Sequence, residues 1–309
     1  MSISIITPHF NDFEGLKQIY NCLLKQDSKD WEWIIVDDFS DASIKELIVQ
    51  YFEQYASPNI KLVLNDEKTT GSVCRNIGAD QATYNHLVFL DADDIISDDF
   101  VSNRAIEVED FVVFKNFNLL DEKGNNKPAP SADSNYLDYF LQAKFIWQTS
   151  AILWNKDFFI EIGKFNTNLK RLQDVELFIR ALILSTNYKV IDNKVDFFYN
   201  VVPIDINKKP IQVICGAVDY LITYMDDNYQ LDKRQRNLVT GYYYLCIRYF
   251  NRSDNKEAIE YVQNSLKLFF KKSYMSYFSY VRALSFLKLY KSNLISSDLF
   301  LRLNRYFYK

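Results

Sequence analysis

Leu87-Val-Phe-Leu-Asp-Ala-Asp-Asp94 carries an apolar run straight into three carboxylates, Asp91, Asp93 and Asp94. An uninterrupted apolar run is the pattern of a strand buried on both faces of a parallel sheet. In open α/β sheets, ligands bind beyond the carboxyl ends of the strands. Carboxylates crowded there repel one another unless positive charge sits between them. A hard divalent cation, Mg2+ or Mn2+, prefers oxygen ligands and shares them with phosphates. The stretch therefore predicts a metal-diphosphate site at a strand end.

Upstream, the same grammar repeats. Residues 2–7 read as an apolar strand stopped by Pro8. Residues 12–26 carry Phe13, Leu16, Ile19, Tyr20, Leu23 and Leu24 at helical spacing. Strands at 31–36 and 60–64 and helices at 44–55 and 72–82 follow, before the strand at 87–90. This βαβαβαβ alternation predicts a parallel sheet with helices on both faces. Downstream the pattern loosens. Strands are expected at 110–119 and 145–154, a polar loop at 121–133, a helix at 175–184 and an extended segment at 189–202. Beyond Pro203 and Pro210 the spacing is helical to the end, which places a boundary near these prolines: domains 1–204 and 205–309.

Composition is that of a globular chain, with 48% hydrophobic and 25% charged residues. The net charge of -4 hides an asymmetry. Residues 231–309 hold 15 Lys and Arg against 5 Asp and Glu, and the first 230 hold 21 against 35. A basic, aromatic C-terminal region on an acidic body suggests an anionic partner surface, or a helical appendage with a solvated basic face. Cys22, Cys74, Cys215 and Cys246 are widely spaced and form no C-x-x-C, so reduced core cysteines of a cytoplasmic protein are expected. The N-terminus enters a strand without a charged leader, and no apolar run is long enough to span a bilayer, so any membrane contact is expected to be peripheral.

Four polar groups fall at strand ends or loop-helix junctions: Thr7-Pro8-His9-Phe10-Asn11, Val36-Asp37-Asp38-Phe39-Ser40-Asp41, Gly71-Ser-Val-Cys-Arg75-Asn76-Ile-Gly78, and Asp91-Ala92-Asp93-Asp94. Each has a plain structural alternative. Asp37 and Asp38 could shape a turn or helix N-terminus, Arg75 could pair with a surface carboxylate, and the last cluster could be a solvated turn. Their joint occurrence along one sheet edge favours a nucleotide site. The G-x-x-x-x-G-K-[ST] and G-x-G-x-x-G loops are absent, so phosphate charge must be met by metal and Arg75. An EF-hand is excluded because Ile96 and Ser102 stand where Gly and Glu are needed.

As a set, these motifs over about residues 1–200 resemble the family 2 glycosyltransferases, inverting enzymes of GT-A fold. The resemblance implies an α/β GT-A domain at 1–204, with a nucleotide-binding half (about 1–100) and an acceptor half (about 101–204), and a helical C-terminal region at 205–309. It implies that Thr7 and Asp38 hold the base, that Pro8, Asn11, Arg75, Asp91 and Ala92 line the nucleotide-sugar site, and that Asp93 with Asp91 binds Mn2+ or Mg2+. Asp174 matches the catalytic base at the opening of a late helix, with Gln173 where the family has Glu. Phe39 replaces a common Gly, Cys74 a common Ala and His9 a common Tyr.

The implied function is metal-dependent, inverting sugar transfer from a nucleotide donor, with a lean toward UDP-sugar. The acceptor would be a glycan or lipid-linked glycan in bacterial surface-polysaccharide synthesis. The C-terminal region would hold the acceptor or meet an anionic membrane surface, and no nucleic-acid partner is implied. A sugar-phosphate nucleotidyltransferase should show a Gly-rich loop after the first strand, and residues 7–11 contain no Gly. A catalytically silent nucleotide-sugar binder or scaffold stays open through Gln173.

Overall fold

The computed structural model describes residues 1–55, 57–201, 211–248 and 256–309, and packing divides the chain into two units. The first holds Met1–Ala132, Ile146–Thr167 and the residues from Arg180 to the last strand. The second holds Asp133–Phe145, Asn168–Ile179 and the C-terminal helices. The boundary expected near Pro203–Pro210 lies outside the described residues.

In the first unit the elements run β1 (Ile3–His9), α1 (Phe13–Lys25), β2 (Trp31–Asp37), α2 (Ala42–Gln54), β3 (Ile60–Leu64), α3 (Gly71–Gln81), β4 (His86–Phe89), β5 (Ile95–Ile96) and α4 (Phe100–Asn103). There follow β6 (Phe111–Phe114), β7 (Asn118–Leu120) and β8 (Asn126–Pro128). Helix α5 (Tyr136–Leu141) belongs to the second unit. The chain continues with β9 (Ile152–Asn155), α6 (Lys156–Glu161), α7 (Gln173–Leu184), β10 (Lys189–Ile191) and β11 (Phe197–Asn200).

A seven-stranded sheet has the order β10-β6-β9-β4-β1-β2-β3. The β1, β2, β3 and β4 pairings are parallel, whereas β9 runs antiparallel to both β4 and β6. A four-stranded sheet has the order β5-β11-β7-β8. Alternation along β1 separates the helices. Ile5 shares a core cluster with Leu16 of α1 and Ile48 of α2. Ile6 faces Gly78 of α3, where an added Cβ would lie 2.3 Å from a methyl. All of β2 is buried. Its Trp33 packs edge-on against Phe52, itself edge-on to Tyr20.

Several expectations are corrected. Pro8 does not stop β1 but pairs opposite Val36. The Ile6 carbonyl accepts from Leu90 N on the β4 side, where the ladder ends. Pro8 faces that same side two residues on, so its missing N–H costs no ladder bond. The single strand expected at 110–119 is β6 and β7, in different sheets. The loop at 121–133 contains the short β8. The strand expected at 145–154 is confined to β9, preceded by a 3-10 turn at Thr149–Ala151.

The second unit adds α8 (Ile211–Asn228), α9 (Lys233–Leu238), α10 (Thr240–Arg248), α11 (Lys256–Lys271), α12 (Tyr277–Lys291) and α13 (Ser297–Tyr308). Tyr242 and Tyr243 are fully buried, and the Tyr242 hydroxyl donates to the Phe140 carbonyl at 2.7 Å. Cys215 and Cys246 are buried free thiols. The half-buried Asp219 of α8 keeps one carboxylate oxygen without a hydrogen-bond partner among the described residues.

Burial pushes the Asp219 carboxyl up to about 6. Its folded-state value exceeds its unfolded one, so this group costs stability as pH rises from about 4 through about 6. Asp219→Asn is expected to stabilise the protein at pH 7.5 by on the order of 1–3 kcal/mol and to give no gain near pH 4. Denaturant melts at the two pH values check this, and an equal effect at both would remove the titration from the account.

Candidate active site

Loop one, after β1, is held by its own side chains. His9 is buried, with Nδ1 2.8 Å from Asp37 Oδ1. Asp12 N donates to its Nε2 at 3.0 Å, which places the ring proton on Nδ1. Asp37 also accepts from the Ser40 hydroxyl at 2.5 Å and from Ser40 N at 2.9 Å. Burial opposes its charge, but His9 and Ser40 outweigh burial and hold the carboxyl below its ordinary value.

Asn11 and Phe39 both take left-handed backbone, φ 53° and 63°. Such φ values are rare outside Gly, which accounts for the Gly that the resemblance leads one to expect at Phe39. Lys45 Nζ lies 4.0 Å from the centre of the Phe39 ring. Asn11 ties the two loops together: its N donates to Ser40 Oγ at 2.8 Å, and its Oδ1 accepts from Asp41 N at 2.8 Å.

A cavity of about 370 Å3 opens at the carboxyl ends of β1, β2 and β4. Pro8, Asp38, Arg75, Asp91, Ala92 and Asp93 all line it, so the fold gathers six of the expected residues. Thr7 and Asn11 are not among its walls. Thr7 is fully buried, and its hydroxyl accepts from the Trp33 indole at 2.9 Å. Asn11 is exposed and engaged in the loop contacts above. His9, Phe10 and Gly71, members of the polar groups with no assigned role, also line the cavity, as do Asp12 and Lys68, which belong to none of those groups. Lys68 lies in the loop after β3, at a strand end whose residues 65–70 belong to none of the four polar groups.

The cavity's electrostatics are sharply divided. Asp38 accepts from Thr69 N at 2.7 Å and from its hydroxyl at 2.5 Å, and pairs with Lys68 Nζ at 2.8 Å. Burial raises its carboxyl, but Lys68 and Thr69 win and leave it below the ordinary value. Lys68 also stands 3.0 Å from the centre of the exposed Phe10 ring. Arg75 is nearly buried and pairs with Asp91. Gly71 gives its guanidinium room, since a Cβ there would lie 3.2 Å from Nη1. The neighbouring Asn76 points elsewhere and clamps Phe165 through both backbone atoms, at 2.9 and 3.0 Å.

Asp93 is pushed up by burial first and by Asp91 second. Asp94 turns away from the cavity. It is buried, accepts from Ser150 Oγ at 3.0 Å and from Asn200 N at 3.2 Å, and is raised well above the carboxylate range by burial and by Asp91 and Asp93. Among the described residues no group of three His, Cys, Asp or Glu is arranged to hold a metal. Asp91 and Asp93 alone suit a cation that takes one or two carboxylates and completes its shell with phosphate and water, as Mg2+ does. The like charge of Asp91 beside Asp93 fits such an ion.

Asp174 belongs to the second unit. The helix opens earlier than expected, at Gln173, so Asp174 is in the first turn and is not the residue before it. A carboxylate there is favoured by the helix dipole. Leu172, just ahead, takes φ 62°, an outlier for a bulky residue, while its carbonyl accepts from Glu176 N at 2.9 Å. The Gln173 Oε1 is buried without a hydrogen-bond partner among the described residues.

Comparison with known proteins agrees with this geometry. Residues 4–162, just over half of the chain, match the model of glycosyl transferase family 2. The chain is 30% identical over 193 residues to the amylovoran biosynthesis glycosyltransferase AmsB of Erwinia amylovora. That alignment covers 59% of this chain and 64% of AmsB, so the chain spans less than two thirds of this relative. The crystal structure of S. aureus TarS 1-349 in complex with UDP-GlcNAc aligns with a TM-score of 0.64 at 17% identity, covering 88% of this chain and 81% of that one. The mannosyltransferase PcManGT from Pyrobaculum calidifontis, in complex with GDP-Man and Mn2+, aligns with a TM-score of 0.55 at 14% identity over 98% and 86% of the two chains. The expected α/β architecture, a mainly parallel GT-A sheet with C-terminal helices, is therefore the observed one. The chain belongs to glycosyl transferase family 2.

Proposed function

We propose that this protein transfers a sugar, with inversion, from a nucleoside-diphosphate donor to an acceptor hydroxyl in surface-polysaccharide synthesis. The observation that carries the reading is the cavity at the sheet edge, where ionised Asp38 lines one part and Arg75, Asp91 and Asp93 another. A UDP-sugar donor is supported by the TarS complex with UDP-GlcNAc, and the polysaccharide setting by the similarity to AmsB, a glycosyltransferase of amylovoran biosynthesis. The transferase domain is proposed as 1–204, with the helical region from 205.

In this reading Asp38 accepts hydrogen bonds from the base, and Arg75 places positive charge near the diphosphate. Pro8, Ala92 and the exposed Phe10 ring form walls for the nucleoside. Thr7 acts through Trp33 by fixing the end of β1, and Asn11 by locking loop one to loop two. Asp91 and Asp93 would hold Mn2+ or Mg2+, which when bound neutralises charge growing on the leaving diphosphate. Asp174 takes the proton of the acceptor hydroxyl as that oxygen bonds to the anomeric carbon and the carbon–oxygen bond to the diphosphate breaks. Attack on the face opposite the leaving group inverts the centre. Such a base is worth ~10²–10⁴-fold.

An anionic membrane surface is the proposed partner of the C-terminal region. Tyr277 and Phe278 at the start of α12 and Tyr306 of α13 are 64%, 83% and 81% exposed in a strongly basic segment. Aromatic side chains favour the membrane interface, and each nearby cation adds about 1 kcal/mol of attraction to an anionic leaflet. Co-sedimentation with phosphatidylglycerol vesicles should drop several-fold in Phe278→Ser, and an unchanged bound fraction would count against it.

Titration calorimetry checks the donor site. Asp38→Ala is expected to weaken UDP binding by about tenfold or more, the scale of one charge-assisted contact of 1.5–3 kcal/mol. Asp93→Asn should instead remove the Mn2+ dependence of binding with the fold kept. Donor affinity in both variants equal to the parent's would refute the assignment.

Asp174→Asn keeps the side chain's size and loses a first-turn charge, costing about 0.3–1 kcal/mol. Turnover should fall by ~10²–10⁴-fold with donor affinity nearly unchanged. Melting temperature, donor affinity and turnover measured together decide it: a near-normal rate takes Asp174 out of the chemistry.

A further inference from the structure

The helical unit contains a second cavity, of about 290 Å3, that shares no residue with the donor cavity. Its walls include Gln142, Lys144, Tyr244, Arg248, Arg305 and Lys309 and, among the described residues, no Asp or Glu. The convergence is built into the fold. Gly241 of α10 lies against the backbone of Gln142, where a Cβ would stand 2.2 Å from the carbonyl oxygen. Ala143 turns the chain at φ 56° as α5 ends, and Lys144 follows. Arg248 closes α10, and Arg305 lies in the last turn of α13.

Among the described residues Lys144 has no ion-pair partner. Lys144 Nζ donates to the neutral Gln142 Oε1 at 2.8 Å. Among the described residues Arg305 has no ion-pair partner and the Tyr244 hydroxyl no hydrogen-bond partner. A cation at each helix C-terminus is favourable by itself. That preference does not require several of them to line one cavity whose described walls hold no Asp or Glu, beside an unused hydroxyl. Like charges so gathered repel until an anion enters, and guanidinium forks and ammonium groups match phosphate oxygens.

We propose that this cavity binds a phosphate ester. Two sources carry that chemistry, a soluble phosphorylated glycan and an anionic lipid headgroup, and the test separates them. The full chain is titrated with glycerol 3-phosphate and with inorganic phosphate, and is sedimented with phosphatidylglycerol or phosphatidylcholine vesicles. Parent, Arg75→Gln and the pair Lys144→Gln with Arg305→Gln are compared. The parent and Arg75→Gln should bind glycerol 3-phosphate alike, and the double variant about tenfold or more weaker at an unchanged melting temperature. Loss confined to phosphatidylglycerol vesicles, again in the double variant only, assigns the site to a lipid headgroup. Loss in Arg75→Gln but not in the double variant would put the anion in the donor cavity and overturn the proposal. So would binding of every probe unaffected by the double variant, or no binding of any probe by the parent. The single variants Lys144→Gln and Arg305→Gln, both at exposed positions, keep the comparison open should the double variant fold poorly.

Discussion

The cavity at the sheet edge depends on one constraint: carboxylates gathered at the ends of three strands must not repel the sheet edge apart. Most of these carboxylates have a local partner. Asp37 has His9 and Ser40, Asp94 has Ser150 and Asn200 N, and Asp91 has Arg75. Asp38 faces the cavity yet is stabilised as an anion by Lys68 and Thr69. Asp93 and Asp94 both have burial and like-charged neighbours as their largest influences, but of the two only Asp93 lines the cavity. A carboxylate raised by a like-charged neighbour and facing the cavity marks where positive charge from outside is best received.

That arrangement requires a tightly tied backbone. Loops one and two interlock through Asn11, Ser40 and Asp41, with left-handed residues at Asn11 and Phe39. Gly15 lets the first turn of α1 pass the Ala92 carbonyl, where a Cβ would approach to 2.6 Å. Gly71 does the same for the Arg75 guanidinium. Farther along, the fully buried Arg104 pairs with Asp196 at 2.7 Å and stacks on Phe100 and Phe114, holding the approach to β11. β11 in turn supplies the Asn200 N–H that restrains Asp94. Broken pairs of this buried kind cost several kcal/mol, because the remaining charge stays desolvated.

The helical unit reverses the sign. Its basic, aromatic composition is legible in the counts for residues 231–309. Folding distributes that charge unevenly. Arg234 pairs with Asp138, and Lys272 and Arg236 share Asp226. Lys144 and Arg305 line a cavity whose described walls include no Asp or Glu. Composition is a sum over a segment, and only packing decides which members of the sum are neutralised.

By itself the sequence determined the alternation of strands and helices through β4, the acidic edge, and the row of residues Asp38, Arg75, Asp91 and Asp93. These are local properties, since apolar periodicity and the position of a polar group after an apolar run are set within about ten residues. Tertiary structure decided which way each side chain points. Asp37 and Asp38 are adjacent, yet one is buried against His9 and the other lines the cavity, because alternation along β2 is resolved only against its neighbours. Thr7 turned to Trp33 and Asn11 to Asp41 for the same reason: their partners lie 26 and 30 residues away. The breaks into β6, β7 and β9, and the recruitment of Lys68, likewise came from strand and loop partners distant in sequence, which no local pattern encodes.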